Sequence, residues 1–270
     1  MTEIAKTFAK LKADREGALI AYLTAGDPNL RKNQQLAEAL IKGGADILEL
    51  GIPFSDPIAD GPVIQNAVSR SLANGCRPID VLNIARAIRD KYDVPIVLMT
   101  YFNPIFRYGL SRFIESARKS GVSGMIIPDL PVEEAHEYKA QCSLKGIDTI
   151  FLASPSTSES RLKKILTETT GYLYLVSMYG VTGIRTKIPK SAIALIKRYH
   201  TTVGNSLPLA VGFGISTPQH VKQVMKAGAD GAIIGSAFVK IIEDNLTSMP
   251  RATRMLRELA QAMKRAATGK

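Results

Sequence analysis

Two acids in the stretch Asp46–Asp60, DILELGIPFSDPIAD, are the first candidates for chemistry. The stretch opens as an apolar run of strand type and carries one carboxylate inside it, Glu49. A loop rich in Pro and Asp follows and ends in a second carboxylate, Asp60. Side chains alternate faces along a strand, so Ile47 and Glu49 share one face and Leu48 and Leu50 the other. Burying an unpaired carboxylate is costly, so an acid in such a run needs a reason. A salt bridge to a nearby Lys or Arg is one reason and catalysis is another; strand position alone leaves them level. Two acids with differently tuned pKa values can supply a general acid and a general base.

Other chemistries find little support. His136, His200 and His220 fall in helical patterns, where surface positions are expected. No Ser/His/Asp set and no metal-ligand cluster stands out. None of the candidate strands contains a Lys, so a Schiff base has no obvious nucleophile. Glycine-rich loops are more informative. VGFGIS (211–216) leads into a helix near Thr217–Pro218, IIGSAF (233–238) puts Gly235 and Ser236 at another helix start, and GVTG (180–183) adds a third loop. Each alone reads as a turn. Three in succession favour phosphate binding through free backbone N–H groups.

Eight short apolar blocks must position these residues: 18–24, 46–50, 95–100, 124–128, 148–153, 172–177, 208–214 and 231–235. Helical patterns alternate with them, which points to a (β/α)8 barrel. A doubly wound open sheet is the alternative. The count of eight, and phosphate signals after the last two strands, favour the barrel. A further helix, TEIAKTFAKLKAD, precedes the first strand and is expected to cap the barrel floor. No linker or charge block divides the chain, so residues 1–270 are expected to form one domain. In such a barrel the active site lies at the C-terminal ends of the strands. Tyr22, Asp27, Glu49, Asp60, Thr100, Tyr101, Asn103, Asp129, Tyr174, Thr182 and Gly183 all fall at or near that end.

Hydrophobic residues make up 46 % of the 270, ordinary for a globular protein, and no apolar run is long enough to span a membrane. The N-terminus carries acids and no apolar core, so neither a secretory signal nor a transit peptide is expected. Cys76 and Cys142 have neither disulfide-framework nor metal-ligand spacing, and a cytoplasmic location is the expectation. The net charge of +11 is spread over helical segments without a nucleic-acid motif, so no nucleic-acid or membrane partner is expected. The basic C-terminal segment is the strongest candidate for a surface that attracts anions.

LELGIPFSDPIADGPVIQ (48–65) resembles the signature of the tryptophan synthase alpha chain family. AYLTAGDP (21–28), MTYFNPI (99–105), IIPDLPVEE (126–134), YLVSMYGVTG (174–183), GFGIS (212–216) and GAIIGSAFVK (231–240) resemble further blocks in the family's order. The resemblance implies a (β/α)8 barrel that cleaves indole-3-glycerol phosphate to indole and glyceraldehyde 3-phosphate, a lyase step of tryptophan biosynthesis. Carried over residue by residue, it makes Glu49 the general acid–base and Asp60 the partner of the indole N–H. Tyr22, Met99 and Tyr174 would line the indole pocket. Gly183, Gly212, Gly214, Gly235 and Ser236 would hold the phosphate, and Thr182 would bond Asp60 when the lid closes. It also implies a β chain partner in an α2β2 assembly, met by Asp56, Pro57, Asn103, Phe106 and Asp129. Pyridoxal phosphate would belong to that partner, with no cofactor and no metal in this chain. Met178 departs from the family pattern, which commonly has Arg there. Two alternatives remain: a stand-alone lyase releasing free indole, and a weakly active barrel that mainly activates a β partner.

Overall fold

The computed structural model describes residues 1–176, 188–212 and 214–268. Nine strand segments form one parallel sheet: β1 (Ala18–Thr24), β2 (Ile47–Gly51), β3 (Ile96–Met99), β4 (Val122–Ile126), β5 (Asp148–Ile150), β6 (Leu152–Ala153), β7 (Leu173–Val176), β8 (Leu209–Gly212) and β9 (Gly231–Ile234). Their order is β5-β4-β3-β2-β1-β9-β8-β7-β6. The segments β5 and β6 are the two halves of the expected strand 148–153, interrupted at Phe151. The first half pairs with β4 and the second with β7. Between them the Phe151 carbonyl accepts from the Tyr174 N–H at 3.1 Å. One run of chain thus passes from one neighbour to the other and joins the two ends of the sheet. The architecture is the expected (β/α)8 barrel, with its fifth strand bent.

Strand parity sorts the core into two shells. Ala18, Ile20, Ile47, Val97, Ile126, Ile150, Tyr172, Tyr174, Ala210 and Ile233 fill the inside of the ring. Leu19, Ala21, Leu48, Leu50, Ile96 and Leu98 point outward into the larger layer under the helices. Ile47 and Leu48 therefore part company as their alternation requires.

The helix Glu3–Ala13 closes the floor. Its first turn is capped by Thr2, whose Oγ1 accepts from the Ala5 N–H at 3.3 Å. Ile4, Phe8 and Leu11 recur at helical spacing, are buried, and join the inner shell. The Phe8 ring meets Tyr172 with centroids 5.9 Å apart. Gly124 of β4 leaves the room that Ile4 occupies: a Cβ there would stand 2.8 Å from Ile4 Cδ1. Glu3 is anchored by Arg89 at 2.8 Å and by the Ser123 hydroxyl at 2.5 Å. On the same side, Lys264 of the C-terminal helix Met249–Ala267 reaches Asp46 at 2.8 Å and Glu16 at 2.9 Å. Part of the basic C-terminal segment is therefore committed to internal ion pairs.

The structure adds two helices to those expected. Pro62–Ala73 begins directly after the Asp60 loop, and Phe102–Tyr108 directly after β3. The first buries Ile64, Ala67, Val68 and Ser71, an i, i+3, i+4, i+7 stripe. One histidine departs from expectation. His136 and His200 are exposed, but His220 is 2 % exposed. The helix Pro218–Lys226 turns its inner face, Val221, Val224 and Met225, toward the barrel from His220 onward. The imidazole Nδ1 accepts from the Ser216 N–H at 3.4 Å.

Candidate active site

Glu49 sits on β2, level with Tyr22 of β1 and Val97 of β3. Its inward parity places the carboxyl inside the ring, where it is 0 % exposed. Neither oxygen has a hydrogen-bond partner among the described residues. Among the described residues no Lys or Arg forms an ion pair with it, so the salt-bridge reading finds no support there. Burial, aided by the charge of Asp60, pushes the Glu49 carboxyl up to about 8.

Asp60 ends the loop after β2 and faces the same space. The Tyr101 hydroxyl donates to Asp60 Oδ2 at 3.1 Å and itself accepts from the Ala59 N–H at 2.9 Å. Gln65, one turn into the next helix, donates to the Asp60 carbonyl at 2.8 Å. Burial raises the Asp60 carboxyl to about 6, and the Tyr101 bond opposes that rise. At neutral pH the pair is therefore divided. Glu49 mostly holds its proton and Asp60 mostly carries charge, the assignment of one acid and one base.

Aromatic rings wall the space. The Tyr22 ring lies across Gly51, so that a Cβ at Gly51 would run into its hydroxyl. That hydroxyl shares a hydrogen bond with Thr24 Oγ1 at 3.3 Å. Met99 lies opposite Gly51 in the β2–β3 register. Across the ring, Tyr174 covers Gly212, whose missing Cβ would stand 2.7 Å from the ring. Burial holds the hydroxyls of Tyr22 and Tyr174 in the protonated form.

The glycine loops converge beside these rings. Gly212 ends β8, and Gly214 takes φ +67, a left-handed conformation that favours glycine. Gly235 caps the helix Ser236–Glu243, and Ser236 is that helix's first residue. Because β8 pairs with β9, both loops open on one side of the barrel mouth. Free N–H groups and the helix dipole attract an anion there. Tyr22 borders this corner too, 3.4 Å from where a Gly235 Cβ would lie. A flat apolar wall thus adjoins an anion-attracting one. Met178, Thr182 and Gly183 lie outside the described residues.

The partner-face candidates gather on the rim. Asp56 and Asn103 are exposed, and Pro57 is partly so. Asp129 is exposed and accepts from the Phe102 N–H at 2.9 Å, fixing the start of the helix Phe102–Tyr108. Phe106 is 69 % exposed, and Ile58, beside Pro57, is 83 % exposed. Sequence reasoning missed Ile58, although an apolar residue in a Pro/Asp loop was the signal. It also left Tyr101 without a role. Asp27 proves structural, gripped by Arg70 at 2.8 and 3.0 Å. Among the described residues no group of His, Cys, Asp or Glu is arranged to hold a metal ion.

A parallel barrel with a carboxylate pair, one buried and one half-buried, between aromatic walls and beside anion-attracting loops after β8 and β9 fits a (β/α)8 enzyme for an aromatic phosphate. The comparisons narrow the class. The family model described as tryptophan synthase alpha chain matches residues 8–268, and the chain belongs to that family. The tryptophan synthase alpha chain of Methanosarcina mazei is 49 % identical over 261 residues, covering 97 % of this chain and 94 % of that one. That of Pyrococcus abyssi is 47 % identical, covering 91 % of this chain and 98 % of the relative. The crystal structure of the Legionella pneumophila alpha chain superposes with a TM-score of 0.90 at 39 % identity, covering 99 % and 97 % of the two chains. A chain of the Pyrococcus furiosus α2β2 complex superposes with a TM-score of 0.86 at 44 % identity, covering 92 % of this chain and 98 % of that one.

Proposed function

We propose that Glu49 and Asp60 carry out the alpha reaction, the cleavage of indole-3-glycerol phosphate to indole and glyceraldehyde 3-phosphate. The observation that carries this reading is the divided pair: a buried Glu49 that keeps its proton near neutrality and an Asp60 that does not. Glu49 gives its proton to indole C3. Positive charge develops on the ring, and the Asp60 carboxylate stabilises it through the indole N–H. Glu49, now a carboxylate, takes the proton of the C3′ hydroxyl. The C3–C3′ bond breaks, its electrons return to the ring, and the hydroxyl carbon becomes the aldehyde. Glu49 ends as it began. The protonated ring is itself the electron sink, so the step calls for no cofactor in this chain.

Tyr22, Met99 and Tyr174 would sandwich the indole, while Gly212, Gly214, Gly235 and Ser236, with Gly183, would hold the phosphate. This division fits the apolar wall and the glycine corner. Thr182 would receive Asp60 on closure of the 53–60 loop, excluding water. Exposed Ile58 and Phe106 beside Asp56, Pro57, Asn103 and Asp129 suit a rim that docks a β chain, with pyridoxal phosphate in that partner. An α2β2 assembly is the stoichiometry we propose, by analogy with the Pyrococcus furiosus complex. A single domain in the cytoplasm completes the reading.

Steady-state cleavage, with and without a β chain, tests it. Slow turnover alone that rises many-fold with β supports the proposal. Fast turnover alone, unchanged by β, would favour a stand-alone lyase. No turnover in either condition would leave only a barrel that activates its partner.

A further inference from the structure

The helix Pro62–Ala73 touches three parts of the site at once. Its first turn holds the Asp60 carbonyl through Gln65. Arg70, on the same helix, divides its guanidinium between two acids. Its Nε and Nη2 grip Asp27 in the loop after β1, at 2.8 and 3.0 Å. Its Nη1 reaches Glu243 at 3.2 Å. Asn66, one turn earlier, adds a bond to the same Glu243 oxygen at 3.1 Å. Glu243 is the last residue of the helix whose first residue is Ser236. The helix that follows the catalytic loop is therefore tied to the far end of the helix that faces the anion corner.

We propose that Arg70 is a positioning residue that couples occupancy of the phosphate corner to the placement of Asp60. Asp27 is 1 % exposed, and Arg70 and Glu243 are each about one-fifth exposed, so solvent screens these contacts little. The Ser71 hydroxyl donates to the Ala25 carbonyl at 2.6 Å, and Asn74 Nδ2 donates to the Pro28 carbonyl at 2.7 Å. These bonds pin the C-terminal end of the helix to the β1 loop, so the helix pivots there. A shift of the Ser236–Glu243 helix against a bound phosphate thus pulls on Arg70 and Asn66. The helix Pro62–Ala73 then reorients its N-terminus, where Asp60 stands. Lys cannot replace Arg70, because an ammonium does not present a fork to two carboxylates.

The coupling rests on the phosphate reading above, and the test separates the two. Glu243→Ala removes the oxygen that Arg70 and Asn66 share and leaves the Asp27 ion pair intact. Arg70→Lys keeps a cation for Asp27. For each variant and the pair, kcat and KM for indole-3-glycerol phosphate are measured, with the affinity for glycerol 3-phosphate by calorimetry and the thermal midpoint. The expected result is a fall in kcat on the order of tenfold with less than about a threefold change in glycerol 3-phosphate affinity. The double variant should be no worse than the weaker single one, because both cut one link. Unchanged kcat in Glu243→Ala, or multiplicative losses in the double variant, overturns the coupling alone. A lowered thermal midpoint with kcat per folded molecule intact also overturns it, since that is what a structural brace would give. Failure of the wild-type chain to bind glycerol 3-phosphate overturns both readings.

Discussion

The floor and the mouth of this barrel are built on the same ring of strands and treat their glutamates in opposite ways. At the floor, Glu3 is paired with Arg89 and Ser123, and Asp46 with Lys264 and the Leu19 N–H. An amphipathic helix fills the opening with Ile4, Phe8 and Leu11. At the mouth, Glu49 is fully buried with both oxygens unpartnered among the described residues, and Phe106 and Ile58 face solvent. The floor is arranged for stability. On the function proposed above, the mouth holds groups whose partners are a substrate and a second protein. An unpaired buried carboxylate is costly to a fold, and it is also what gives an acid a pKa suited to work near neutrality.

The comparison can be broken most directly at Glu49. Glu49→Gln should lower cleavage by about 10²–10⁴-fold in a steady-state assay. It should also stabilise the chain above neutral pH. The folded Glu49 carboxyl is raised to about 8 from an ordinary carboxylate value of 4.5, so between those values the folded state binds more protons than the unfolded one. Stability from this group is present below that window and is lost as pH rises through it. Gln removes the loss, a gain on the order of a few kcal/mol at pH 8, read by denaturant titration at pH 5 and pH 8. Lower stability of the variant at pH 8 would mean Glu49 has a partner and the contrast is false.

Phe8→Ala tests the floor. It should cost about 3–5 kcal/mol in denaturant unfolding. Turnover per folded molecule should stay within about twofold at substrate saturation, as expected for packing remote from the chemistry. A large fall in kcat with little loss of stability would erase the division between the two ends.

Tyr101→Phe should have a smaller effect at the mouth. It removes a hydrogen bond to a charged acceptor, worth about 1.5–3 kcal/mol. That bond lowers the Asp60 carboxyl, so its loss should move the acid limb of the pH–kcat/KM profile, which reports the free enzyme, upward from about 6. The alkaline limb, governed by Glu49 at about 8, should stay where it is. Movement of the alkaline limb instead would reverse the two roles. The smallest effect on the isolated chain belongs to Ile58→Ser, expected within about 0.5 kcal/mol of wild-type stability. The same change should weaken β-chain binding in a titration of the complex.

The face of Glu49 was legible because alternation needs only neighbours in sequence: Ile47 and Glu49 inward, Leu48 and Leu50 outward. The floor helix was legible for a similar reason, since Ile4, Phe8 and Leu11 mark one stripe. The glycine corner was visible as Gly-x-Gly and Gly-Ser at the ends of the last strands. Asp60 was harder, because a loop has no period, and its hold on Tyr101 joins residues far apart in sequence. His220 shows a limit of helical patterns, which say that a helix has an inner face but leave its first buried position open. The bend at Phe151 depends on ring closure, a property of all the strands together.

The glycines facing Tyr22 and Tyr174 have an evolutionary consequence. Because the Tyr22 ring occupies the place a Gly51 side chain would take, and Tyr174 does so at Gly212, neither glycine can be replaced without a shift of the ring that faces it. An Ala at 51 is tolerated only if residue 22 becomes smaller or swings aside. Drift in this pocket is therefore favoured by paired substitutions, one at the glycine and one at the ring that faces it.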